Sequence, residues 1–330
     1  MQRHAAPEYS GGSPASPPPP GHKRLVIGAG LVIGVLAVST SSILIRVADA
    51  PPLALSFWRC ALGAVALAPF ALRARRAAGP LDNGQRRQLG AAGLFLAAHF
   101  AAFITSLSLT TVASAAVLVT TAPLFVGIGA ALFLHEPPTR KTWTGIALAI
   151  VGAAGIAVAD FDGFAGRDVL VGDALAFAGA ALVAGYLLIG RVARQRLPVS
   201  RYAATVYGVA AVALLVASLA TGSQLSGYTT GTWLAIAGLV IGPQLLGHTI
   251  FNSLLVAVPA TVIAVVVLAE PVGSTILALL LLDEAPAPGF WLAAPLLAAG
   301  VWFSVAGSRP GDAAGAPDVA SGQPGTAARR

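Results

Sequence analysis

The chain has 330 residues, of which 56% are hydrophobic and only 10% charged, with a net charge of +7 and a single cysteine. Soluble domains carry about 25% charged residues, and a water-facing fold this apolar would expose large adhesive patches, so composition places the chain in a lipid bilayer. Cys60 on its own excludes an internal disulfide and a cysteine-rich metal site.

The first 24 residues, with the run Pro17 to Pro20, are too poor in apolar residues to fold and read as a disordered cytoplasmic tail. Ten apolar stretches follow, near 25–45, 53–72, 89–109, 112–134, 142–159, 171–190, 203–221, 232–251, 260–282 and 288–307. Each approaches the roughly 20 residues that cross a bilayer as a helix. The runs do not alternate as barrel strands do, so helices are expected. Residues 160–170 read as an outer linker, and 308–330 as a second disordered tail.

The block from Ala116 to Gly152 returns 148 residues later, from Ala264 to Gly300. Pro123 recurs as Pro271, Glu136 as Glu284, Trp143 as Trp291 and Gly152 as Gly300. At an offset of 145, Arg46-Val47-Ala48 matches Arg191-Val192-Ala193. Residues 25–159 and 171–307 are thus two repeats of five helices. Five is odd, so the second repeat is inverted relative to the first, and such repeats place a binding site near the midplane at their interface. The fold class expected is an all-α integral membrane protein of ten transmembrane helices in two inverted five-helix repeats.

Charge gives the orientation. With the N-terminus in the cytoplasm, all but Arg46, Arg59 and Arg167 of the 20 basic residues fall in cytoplasmic segments. The positive-inside rule therefore puts both termini in the cytoplasm, in the cytoplasmic membrane. Basic residues distributed over short loops are a topology signal and not a nucleic-acid surface, so the partners expected are the bilayer and a small molecule.

The stretches Leu96 to Phe125, Leu134 to Val158 and Gly247 to Pro286 resemble the drug/metabolite transporter superfamily in its EamA-type branch. The likeness covers residues 25 to 307. It implies secondary transport of small metabolites or drugs, often outward, and leaves the substrate open.

The embedded polar residues carry whatever chemistry there is. Glu270 lies deep in the ninth span, where the first repeat has Ala122. A carboxylate there costs roughly 2.5–3.5 kcal/mol on insertion scales. It reads either as a proton-coupling or substrate group, or as a structural carboxyl at a helix broken by Pro271. Arg59 reads as an anion-binding group, as a partner of Glu270, or as a side chain snorkelling to the outer interface. His99 and His248 occupy matching places in the third and eighth spans, as proton relays or as interhelical hydrogen-bond partners. Gln244, His248 and Asn252 are spaced by four and share a helix face, and with Thr120 they are expected to line a polar cavity. Trp58, Tyr186 and Tyr207 read as aromatic walls, with interface anchoring or lipid contact the commoner role of each alone. His135 and Glu136 read as the end of a helix. No cofactor or catalytic constellation is implied: HExxH and Walker A motifs are lacking. A membrane enzyme and a channel-like facilitator are the alternatives to a transporter.

Overall fold

The computed structural model describes residues 20–110, 112–159, 167–282 and 285–308. Glu284, both expected tails beyond this range, and most of the 160–170 linker lie outside the described residues. Within them the chain is helical, with no strand. Nine helices are long and apolar enough to cross a membrane. We number the rods α1 (Arg24–Val47), α2 (Pro52–Ala78), α3 (Asn83–Leu109), α4 (Val117–Leu134), α5 (Arg140–Ala159), α6 (Asp168–Arg194), α7 (Val199–Ala220), α8 (Thr230–Leu254), α9 (Ala260–Leu281) and α10 (Phe290–Gly307). The fifth expected span, 142–159, is the helix α5 but is not among those nine. The first rod begins inside the expected tail, its helix running from Pro20.

The helices gather their ends in two sets. At one end, Glu136 after α4 accepts from Arg191 in α6, which also donates to a carbonyl following α8. Thr139, ahead of α5, donates there to the carbonyl of Gly307 at the end of α10. At the other end, Asp173 near the start of α6 accepts from Thr110 after α3 and from Ser114. Trp58 near the start of α2 donates there to the carbonyl of Leu225 in the α7–α8 connection. Sequential helices therefore run antiparallel, as an inverted pair of five-helix halves requires.

The pairings obey the pseudo-twofold relation. Helix α2 packs extensively on its mate α7, and α5 on its mate α10. The contact of α3 with α6 is matched by that of α8 with α1, and that of α4 with α6 by that of α9 with α1. The α5–α10 seam is made possible by glycine. A Cβ on Gly145, Gly152 or Gly300 would run into backbone atoms of the opposing helix, the close approach that small residues permit in membranes. The largest apolar core joins α2, α3, α6, α7, α8 and α9 through Leu89, Leu96, Tyr202, Val206 and Ile263. Large apolar residues such as Leu132, Phe133, Leu280 and Leu292 cover the outside, where lipid tails would meet them.

Two matching helices are broken at depth. The fourth rod is interrupted at Thr120–Thr121, before Pro123, and α9 at Leu268–Ala269, before Pro271. A proline lacks the N–H and crowds the carbonyl four residues back, so the repeated proline makes the repeated break. Helix α1 is also interrupted, at Thr40, and its break docks on that of α9. The Ser39 hydroxyl donates to the Glu270 carbonyl (3.3 Å) and Ser274 donates to the Ser39 carbonyl (2.9 Å).

Candidate functional site

Arg59 is buried, with 3% exposure, on the inward face of α2. It does not snorkel. Its Nε donates to Gln244 Oε1 at 3.0 Å, and its guanidinium lies 4.1 Å over the Phe100 ring of α3. Gln244 belongs to a π-helical stretch of α8, Val240–His248, that contains Pro243. The wider turn leaves the Gln244 carbonyl accepting from the hydroxyls of Thr249 (3.0 Å) and Tyr207 (3.4 Å). Widenings of a helix to π geometry are frequent at functional sites.

Tyr207 continues the network to the hydroxyl of Thr249 (3.1 Å) and to Asn252, whose amide donates to it at 3.5 Å. Asn252 also exchanges hydrogen bonds with Tyr186 (2.8 and 2.5 Å). Side chains from α2, α6, α7 and α8 therefore meet in one buried polar cluster. The reading of Tyr186 and Tyr207 as lipid or interface anchors is corrected here: both are fully enclosed, and both hydroxyls are bonded within the bundle. A phenol in hydrocarbon needs a partner, and only the fold supplies one. Trp58 lies instead at the bundle end, against Trp233 and the Leu225 carbonyl.

The other expected residues join less directly. His248 is half-buried and meets Phe100 edge-on at 5.6 Å, so it shares that ring with Arg59. His99 is buried and its Nδ1 bonds the Gly179 carbonyl at 2.9 Å, tying α3 to α6. Thr120 is buried at the break of α4, where its hydroxyl donates to Val117 of its own helix; it makes no hydrogen bond to the cluster. Glu270 is half-buried at the start of the second segment of α9. Among the described residues it forms no ion pair within 4.0 Å. Phe100, which carries the guanidinium, had no signal in the sequence beyond its place beside His99.

A second polar site closes the Glu136 end of the bundle. Arg191 is 3% exposed and grips both carboxylate oxygens of Glu136 through Nε (3.1 and 3.2 Å), with a third bond from NH2 at 2.9 Å. Its NH1 donates to the carbonyls of Leu255 (2.5 Å) and Val256 (3.3 Å). One turn on, Arg194 Nε donates to the Asn252 carbonyl at 2.9 Å. The chain turns at His135 in the left-handed conformation (φ 57°) to present Glu136. A narrow cleft lined by Glu136, Pro138, Pro259 and Thr261 lies beside the clasp.

Two inverted halves, a buried polar cluster and matched helix breaks agree with one family. The EamA-like transporter profile matches residues 25–158 and again 170–306. The chain belongs to the EamA-like transporter family. The double match over most of the chain is the duplication that the repeated Pro, Glu, Trp and Gly announce, and it makes the protein a membrane transporter of the drug/metabolite type. No curated protein matches the chain. Among solved structures, a crystal structure of a protein superposes with a TM-score of 0.71 at 20% identity, covering 87% of this chain and 99% of its own; at that identity the likeness is one of fold.

Proposed function

We propose that this EamA-like protein is a secondary transporter that exports small metabolites or drugs across the cytoplasmic membrane by alternating access around its buried polar cluster. The observation that carries this reading is the meeting of Arg59, Gln244 and Asn252 between helices of both repeats, beside helices broken at matching depth. Broken helices and polar side chains at a repeat interface are what such carriers use to hold cargo. The Arg191–Glu136 clasp is a closed gate at the cytoplasmic end, and it parts when the halves rock. Glu270 is the coupling group, and a proton is the coupling ion. The protein works without a cofactor, and its role is transport and not catalysis.

The test is solute flux in proteoliposomes under an imposed pH gradient. Flux is expected to depend on the gradient in the wild type, and Glu270→Gln, which keeps the shape and removes the charge, is expected to abolish that dependence. Full gradient-driven flux by the variant would remove Glu270 from coupling.

A further inference from the structure

Arg59 and Gln244 touch, and each is left with an unused donor. Arg59 NH2 and Gln244 Nε2 are both buried with no hydrogen-bond partner in the protein. Among the described residues the other buried atoms in that condition are the single hydroxyls of Tyr202, Ser218 and Ser304, with no charge to direct a ligand. An unmet buried donor is costly, and more so on a charged group, so two on adjoining side chains amount to a site built for something absent from the protein itself.

The chemistry of that something follows from the donors. Both atoms give hydrogen bonds and neither accepts them, so the occupant presents two acceptor oxygens. The guanidinium supplies one positive charge, which repels an ammonium group and matches a monoanion. An unpartnered guanidinium N–H beside an unpartnered amide N–H is suited to the two oxygens of a carboxylate. The surroundings are aromatic: Phe100 lies under Arg59, His248 stands against Phe100, and Tyr186 lies 6.5 Å from His248. Glu270 is not in ion-pairing contact and does not fill the position. We infer that Arg59 and Gln244 anchor the carboxylate of a small aromatic monocarboxylate, with Phe100, His248 and Tyr186 receiving its ring. The inference rests on the reading of the polar cluster as the substrate site.

The experiment is ligand-dependent thermal stabilisation of the purified full-length protein in detergent, with benzoate, benzyl alcohol, benzylamine and inorganic phosphate as probes. Benzoate is expected to stabilise the wild type in a concentration-dependent way, while the alcohol, the amine and phosphate do not. Arg59→Met is expected to abolish the response. Arg59→Lys and Gln244→Leu are expected to weaken apparent affinity by about tenfold or more, the effect of one charge-assisted hydrogen bond; these two keep the test decisive should Arg59→Met fail to fold. Equal stabilisation by benzyl alcohol or benzylamine, stabilisation by phosphate instead of benzoate, no response of the wild type to benzoate, or an unchanged response in the variants would each overturn the proposal. Binding is read without a gradient, so its failure is separable from that of transport. Gradient-driven flux of another solute by a protein deaf to benzoate sinks the carboxylate anchor alone, and benzoate binding without any flux sinks the transport reading alone.

Discussion

At Arg191 a guanidinium replaces the water it has lost with hydrogen bonds that include three to Glu136 and two to main-chain carbonyls. That saturation makes it a clasp: withdrawing one partner strands a buried charge, which is far costlier than forming the pair is favourable. Glu136→Gln is expected to destabilise the protein by about 2 kcal/mol, seen as a lower melting temperature, and to raise the reactivity of a cysteine placed at Thr261, which lines the adjoining cleft. A melting curve and labelling rate both equal to those of the unaltered parent would show that the pair holds nothing shut. Arg59 is the opposite case. It has one hydrogen bond and one aromatic face and is left with an unmet donor, which is why the first reads as a lock and the second as a receptor.

Helices in this protein are joined by what their surfaces lack. On the α5–α10 seam, a Cβ at Gly300 would overlap the backbone nitrogen of Ala149. No side chain can yield there, so the two helices would have to separate. Gly300→Ala is expected to cost roughly 2 kcal/mol or more. Gly208→Ala in α7, where a Cβ would meet nothing within 4 Å, is expected to change stability by less than about 1 kcal/mol. Equal melting temperatures for the two variants would show that the seam is looser than its backbone spacing implies. The breaks of α1 and α9 are coupled by the same economy, since the absence of a side chain at Gly273 lets Ser39 reach the Glu270 carbonyl. Movement of α1 therefore acts directly on the segment that begins with Glu270.

Over the whole molecule, the two sets of helix ends are clear from the contacts, and the positive-inside rule predicts their sides. Gln195 is exposed at the Arg191 end, and Ser226 is exposed in the α7–α8 connection beside Trp58. Cys60 is buried and is the one native cysteine, so single introduced cysteines report cleanly. An impermeant maleimide added to intact cells is expected to label Ser226→Cys and to spare Gln195→Cys. The reverse pattern would invert the protein in its membrane and overturn the cytoplasmic placement of both termini. Packing across the pseudo-twofold axis also explains why neither repeat has a core of its own, since α2 and α7 fill one another's seam and α5 and α10 the other.

Composition, run length and the 148-residue repeat sufficed for the membrane class, the helices and the inverted halves, and the likeness of Leu96 to Phe125, Leu134 to Val158 and Gly247 to Pro286 pointed to the family, because each depends on residues close in sequence or on a period along it. Proline at matching places even foretold the break at Glu270. Facing was a different matter. Lipid tails are as apolar as leucine, so association of helices in a bilayer needs no hydrophobic stripe, and spans apolar all round carry no signal of which side meets a neighbour. Tyr186 and Tyr207 could therefore be read as facing lipid until packing enclosed them. For the same reason Arg59 with Gln244, 185 residues apart, and Arg191 with Glu136, 55 apart, became pairs only in three dimensions. A buried charge must find its partner across helices, and helix rotation, which the sequence of an all-apolar span does not encode locally, decides which partner is in reach.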